Sequence, residues 1–311
     1  MLDHHPQIAF EHEFPAAVGL VTDAGELPAL DAYVEWLGSL RGFQYLIDRT
    51  LGYRELVDDF LRQKKLSSGD KKFIGATVHH HFDRLLFIWP DARFIHLIRD
   101  PRDVAPSVLQ KGWAGNLYHA AEWWPQAEQC WDSLVSRLPA ERFVETRYEA
   151  LVTNPEQELT RICQFIGVDF DPSMLDYQRD ARQYPKPNPK LAFQWRTKLS
   201  PDQIGMIENR AGRLLQSRMY EPSGHWVPTI GPLKHKLLML ESRIRRLRGR
   251  IDEIGFDLVM MDMVARRLGL RAIAKHTMQR VNQAEQRLID LEDAGVRSPS
   301  ANIAPAAKPD A

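Results

Sequence analysis

The sequence predicts an α/β fold, a parallel sheet flanked by helices, followed by a long C-terminal helix. Two observations predict the sheet: apolar runs at 72–76, 93–98 and 142–148 have strand character, and stretches of helical spacing separate them. Strands that alternate with helices in this way pair in parallel through crossovers. A third observation predicts the helix. Leu233, Leu237, Leu240, Ile244, Leu247, Ile251, Ile254 and Leu258 step alternately by four and three, which is a heptad seam.

Composition narrows the function classes. The 311 residues are 44% hydrophobic and 26% charged, enough for one large domain or two. Lys and Arg number 41 against 41 Asp and Glu, so no broad basic field offers itself to nucleic acid, and an anion site must be a local cluster. Cys130 and Cys163 lie in helix-like stretches without CxxC or Cys/His spacing, which implies neither a disulfide framework nor a structural zinc site. The expected compartment is the cytoplasm. No apolar run approaches the roughly 20 residues of a membrane span, and Met1-Leu2-Asp3-His4-His5 does not resemble a signal peptide.

From about Leu30 to Gln63 the pattern is helical, with Leu56, Val57, Phe60 and Leu61 on one face. Lys72 to Ala76 reads as a strand, His80 to Trp89 as a helix, and Arg93 to Ile98 as a second strand. After Arg99-Asp100-Pro101-Arg102 a helix is expected to open near Asp103, a suitable N-cap, with Pro106 in its first turn. Glu122 to Leu138 is an aromatic-rich helix and Arg142 to Tyr148 a strand. Asn154-Pro155-Glu156-Gln157 aligns a cap, a proline and a capping-box glutamine, with Gly167 as the stop. Ser200-Pro201-Asp202-Gln203 repeats that grammar ahead of Ile204, Ile207 and Ala211. Between these helices Tyr184 to Pro189 must be extended, because each proline disfavours helix in the residue before it.

Composition changes after Gly224. The expected organisation is a domain over 1–224, a helical, coiled-coil-like extension over 225–294 and a disordered tail over 295–311. The seam over 233–258 can join a second copy or a partner protein, or pack within the chain. Arg243, Arg245, Arg246, Arg248 and Arg250 read as its solvated faces.

Chemistry concentrates in Phe94 to Ser107, a strand, a tight turn and a helix start. Ligands of open α/β sheets collect at the carboxyl ends of strands, where helix N-termini offer free N–H groups. Arg99 at the strand end and Ser107 early in the helix can close on one phosphate. On spacing alone, an ion-paired surface turn explains the same residues equally well.

The run Arg93-Phe94-Ile95-His96-Leu97-Ile98-Arg99-Asp100-Pro101-Arg102-Asp103-Val104-Ala105-x-Ser107 resembles the 3′-phosphate-binding segment of sulfotransferases that use 3′-phosphoadenosine 5′-phosphosulfate (PAPS). Pro90-Asp91-Ala92, Arg147-Tyr148-Glu149-Ala150-Leu151, Asn154-Pro155-Glu156, Phe165-Ile166-Gly167 and Leu199-Ser200-Pro201 are similar to the bacterial branch related to tyrosylprotein sulfotransferases. The resemblance covers about residues 1–224. It implies a P-loop-NTPase-like sheet, PAPS as co-substrate with no metal, and a hydroxyl acceptor on a peptide tyrosine, a carbohydrate or another metabolite. By the same resemblance Arg99 and Ser107 would hold the 3′-phosphate, Tyr148 would lie near the adenine, and Lys186 loosely matches a loop lysine near the phosphates.

The start, Met1-Leu2-Asp3-x-His5-Pro6 followed by Glu11-His12-Glu13, is similar to the helix end and acidic turn after the family's 5′-phosphosulfate loop. The loop itself, and the first strand before it, are not in this sequence. The expectation is therefore a fold lacking its first strand, from a start placed too far downstream; the alternative is an inactive nucleotide-binding remnant serving as an interaction module through its C-terminal helix. Two candidates exist for the base that takes the acceptor's proton. Glu13 matches the carboxylate of the tyrosylprotein branch, and His79, first of three consecutive histidines, matches the histidine of cytosolic relatives. Three adjacent histidines cannot readily share a metal ion, since helix neighbours point about 100° apart. Trp113, Trp123 and Trp124 suit either an acceptor face or the core.

Overall fold

The computed structural model describes residues 1–40, 43–177 and 186–270, with isolated positions between 273 and 284. The chain divides into two compact units: Met1–Asp100 with Gln126–Thr197, and Pro101–Pro125 with Lys198 onward. Gly224, the expected boundary, falls inside the second unit. The tail from 295 lies outside the described residues.

Among the described residues of the first unit, four strands form two parallel pairs. β1 (Ile8–Glu11) pairs with β2 (Phe73–Ala76), in register from Ile8↔Phe73 to Glu11↔Ala76. β3 (Phe94–Ile98) pairs with β4 (Phe143–Arg147), from Phe94↔Phe143 to Ile98↔Arg147. The three strands expected from sequence are present within two residues at each end. β1 is an addition. Residues 1–6 form one 3-10 turn, Leu2–His4, instead of a helix end, and Asp3 accepts the Phe10 N–H at 2.7 Å, tying that turn to the strand behind it.

Helices α1 (Leu30–Leu37) and α2 (Tyr53–Ser67) bury Tyr33, Leu37, Leu56, Val57 and Phe60 against Phe14, Val18 and Val21. The helix expected over 80–89 is instead a 3-10 helix, Phe82–Phe87. His81 has a left-handed φ of 53° at its start and Pro90 follows closely, so only two tight turns fit, yet Leu85 and Ile88 still turn inward. α6 (Tyr148–Thr153) leads into α7 (Pro155–Ile166), which opens on its proline and stops at Gly167 with φ 95°. Asn154 caps α7 through its backbone carbonyl, which accepts the Glu158 N–H, and makes no side-chain cap bond. Leu159 and Cys163 of α7 pack with Ile8 and Met174.

In the second unit α3 (Pro101–Gln110), α4 (Leu117–Ala120) and α9 (Pro201–Ala211) share a core of Ala105, Val108, Ala120, Ala121 and Ile207. α5 (Trp123–Val135) runs from this unit into the first, and the short α8 (Trp195–Lys198) precedes α9. α3 begins at Pro101, two residues before the expected Asp103 cap, so Pro106 lies inside the helix and not in its first turn. α9 carries the expected capping box, with the Gln203 side chain accepting the Ser200 N–H at 2.9 Å. After α10 (Leu214–Ser217) come α11 (Pro232–Ile254) and α12 (Phe256–Arg267). Gly255, at φ 89°, ends α11, so Leu258 leaves the heptad seam and is buried on α12.

Candidate functional site

The first unit places candidate residues at the carboxyl ends of both strand pairs. Arg99 directly follows β3 and Tyr148 directly follows β4, and the Arg99 guanidinium lies 4.2 Å from the centre of the Tyr148 ring. Both side chains are half-buried. Stacking of this kind holds a planar cation by its face. Tyr148 is thus brought to Arg99.

Two buried carboxylates fix the turn behind Arg99. Glu149 accepts the backbone N–H of Asp100 at 2.9 Å, and Asp100 accepts the indole N–H of Trp195 at 3.0 Å. Asp100 is fully buried and Glu149 nearly so. Sequence reasoning assigned no role to Asp100, Glu149 or Trp195. An acidic residue directly after a strand-end tyrosine was a usable signal for Glu149; nothing local pointed to Trp195.

At the other strand pair Glu13 lies two residues beyond β1 and His79 three beyond β2. The Phe14 N–H donates to the Thr77 carbonyl at 2.9 Å, which binds the two loops together at one end of the sheet. Both candidate bases are exposed there. Their neighbour Glu11 is already engaged, accepting a hydrogen bond from the Tyr45 phenol. Burial, and then that bond, push the Tyr45 pKa up, so the phenol keeps its proton. His80 titrates below an ordinary histidine, through desolvation and then the charges of His79 and His81.

Ser107 sits in the second turn of α3 in the second unit, partly buried. Its neighbour Arg102 is structural: the side chain is buried, and its Nη1 donates to Glu208 Oε1 at 2.8 Å and to the Glu221 carbonyl at 3.0 Å. Lys186 is exposed beside residues outside the described set. Trp124 is buried, whereas Trp113 is exposed and stacks on Trp123 at 5.3 Å.

A sequence model of the sulfotransferase family matches residues 1–172. The chain is 30% identical to omega-hydroxy-beta-dihydromenaquinone-9 sulfotransferase Stf3 of Mycobacterium bovis and of Mycobacterium tuberculosis, over 41% of this chain and 37% of theirs. It therefore spans little more than a third of the length of these curated relatives. Among solved structures, the sulfotransferase domain from the curacin biosynthetic pathway aligns with TM-score 0.42 and 22% identity over 54% of this chain and 73% of that one. The sulfotransferase domain of the Synechococcus PCC 7002 olefin synthase aligns with TM-score 0.39 and 20% identity over 67% and 96%.

Proposed function

The chain belongs to the sulfotransferase family, and from that premise we propose that it transfers a sulfonyl group from PAPS to a hydroxyl of a small metabolite. The observation that carries this reading is the Arg99 guanidinium stacked on Tyr148 at the carboxyl ends of β3 and β4. Such a pair suits an adenine nucleotide that bears a phosphate on its ribose.

The co-substrate supplies a sulfonyl group on a phosphate leaving group. Arg99 donates N–H bonds to phosphate oxygens and offsets their charge. Glu13 or His79 accepts the acceptor's proton as its oxygen bonds to sulfur and the bond from sulfur to the phosphate oxygen breaks. A metabolite acceptor, and not a peptide tyrosine, is favoured because the curated relatives are named for a menaquinone derivative.

Calorimetry with adenosine 3′,5′-bisphosphate tests the site. Arg99→Ala should weaken binding about 30-fold, corresponding to about 2 kcal/mol for a lost charged hydrogen bond. Equal affinities would refute the assignment. Nucleotide binding without transfer to any hydroxyl acceptor would favour the inactive remnant.

A further inference from the structure

The heptad stripe of α11 faces solvent. Leu233 is 72% exposed, Leu237 57%, Leu240 53%, Ile244 43% and Leu247 37%. The opposite, polar face of the helix is the one that docks. Ser242 is fully buried, and its hydroxyl accepts the Gly115 N–H at 2.9 Å and meets His119 Nδ1 at 2.7 Å. The Asn116 amide donates to the Leu238 carbonyl at 2.7 Å, and Tyr118 Oη lies 3.0 Å from His235 Nδ1. A helix held by its polar face, with its apolar face outward, inverts the usual arrangement of a surface helix.

The positions bordering the stripe are Lys234, Lys236, Glu241, Arg243, Arg248 and Arg250. Five of the six are cations. The one carboxylate is already engaged, Glu241 pairing with Arg245 at 2.6 Å and accepting from Asn116 at 3.0 Å. We infer that α11 lays this stripe into the surface of an anionic lipid bilayer, its leucines among the upper acyl chains and its flanking Lys and Arg at the headgroups. Charge selects this occupant. A second copy would bring the same cations to the same flanks, Arg243 facing Arg248 in a parallel pair, whereas an anionic surface complements them all. Among the described residues no helix is long and apolar enough to cross a membrane, so this helix lies on the bilayer. Of the arginines expected to be merely solvated, Arg245 pairs with Glu241 and Arg250 reaches Asp262 at 3.7 Å, and Arg243 and Arg248 are the ones that turn to the headgroups. The inference does not depend on sulfonyl transfer.

Flotation of the full chain with phosphatidylcholine vesicles containing 30 mol% phosphatidylglycerol tests it, with pure phosphatidylcholine as reference. The chain should float with the anionic vesicles at least about tenfold better, and less so as added salt screens the flanks. Leu240→Glu with Ile244→Glu should abolish flotation. These side chains are exposed, and unchanged circular dichroism confirms that the fold is intact. Arg243→Glu with Arg248→Glu leaves the stripe whole and should lose the preference for anionic lipid. No flotation, or flotation unchanged in either variant, overturns the inference. Sedimentation without lipid that shows a dimer, broken by the Leu240/Ile244 changes, overturns it in favour of a second copy.

Discussion

The proposed function gives the two arginines of the turn Arg99-Asp100-Pro101-Arg102 opposite duties, and substituting each separates them. Arg102 has a side chain 3% exposed, paired with a Glu208 carboxylate 4% exposed. The same carboxylate oxygen accepts the Ser223 N–H at 2.9 Å. Removing one partner of a buried pair costs about 3–5 kcal/mol, because a charge stays behind out of water. Arg102→Ala strands Glu208 but leaves it the Ser223 bond, which points to the lower end, about 3 kcal/mol. Glu208→Ala leaves the Arg102 cation its bond to the Glu221 carbonyl but takes away its counter-charge, and it also removes the acceptor of the Ser223 N–H, adding about 1–3 kcal/mol. Urea unfolding followed by tryptophan fluorescence should therefore rank the proteins wild type, Arg102→Ala, then Glu208→Ala. Arg99→Ala, whose half-buried guanidinium lies over an aromatic ring, should unfold within about 1 kcal/mol of wild type while losing nucleotide affinity. An Arg102→Ala protein as stable as wild type would refute this division of labour, as would an Arg99→Ala protein that loses stability while keeping its affinity.

Glu13→Gln and His79→Gln distinguish the two bases: the variant that removes the true base should lower kcat about 100-fold or more and flatten the acid limb of the pH–rate profile, with KM for PAPS little changed. His119 titrates below an ordinary histidine, through burial first, opposed by Glu122 and reinforced by Arg246, Arg210 and Arg243. Its folded pKa therefore lies below its unfolded value of about 6.5, so as pH falls through 6.5 the unfolded chain gains a proton that the folded chain refuses. Stability should fall from about pH 6.5 downward until the folded pKa is reached and should not vary with this group above about pH 6.5; a Tm slope over pH 5–7 identical in wild type and His119→Asn would contradict this. Gly115→Ala places a Cβ 2.2 Å from the Ser242 carbonyl oxygen. It should cost about 1–3 kcal/mol by overpacking and speed amide exchange in 232–254, and unchanged exchange there would deny that Gly115 seats α11.

What the sequence discloses about the fold tracks the range of the forces involved. β2, β3 and β4 are readable because β-branched and aromatic residues run together within each segment. β1 is only four residues, Ile8–Glu11, and sits between His5-Pro6 and a polar Glu-His-Glu run. Its strand character comes from the β2 edge it pairs with and from the Asp3 carboxylate that holds Phe10. The start of α3 differs from the local expectation for a similar reason. Local rules choose Asp103 as cap, but the Asp100 N–H is taken by Glu149, 49 residues away, and Pro101 then enters the first helical position without losing a bond. Arg99 and Tyr148 were legible as motif residues, whereas the Trp195 indole that anchors Asp100 is 95 residues distant and leaves no local trace.

The C-terminal helix shows where periodicity stops being informative. Steps of four and three identify the residues that share a face of α11, and they do so whether that face looks inward or outward. The direction is decided half a turn away. Gly115, which has no Cβ to hold the helix off, lets the Ser242 backbone approach, and Asn116, Tyr118 and His119 supply polar groups matched to Leu238, His235 and Ser242. Those groups lie on α4 and the loop before it, more than 110 residues upstream. An apolar face on this helix would have left the N–H of Gly115 and the amide of Asn116 without these acceptors, at a cost of about 1–3 kcal/mol for each buried group. Docking by the polar face satisfies them and leaves the leucines facing outward. The stripe's exposure thus follows from hydrogen bonds made on the other side of the helix.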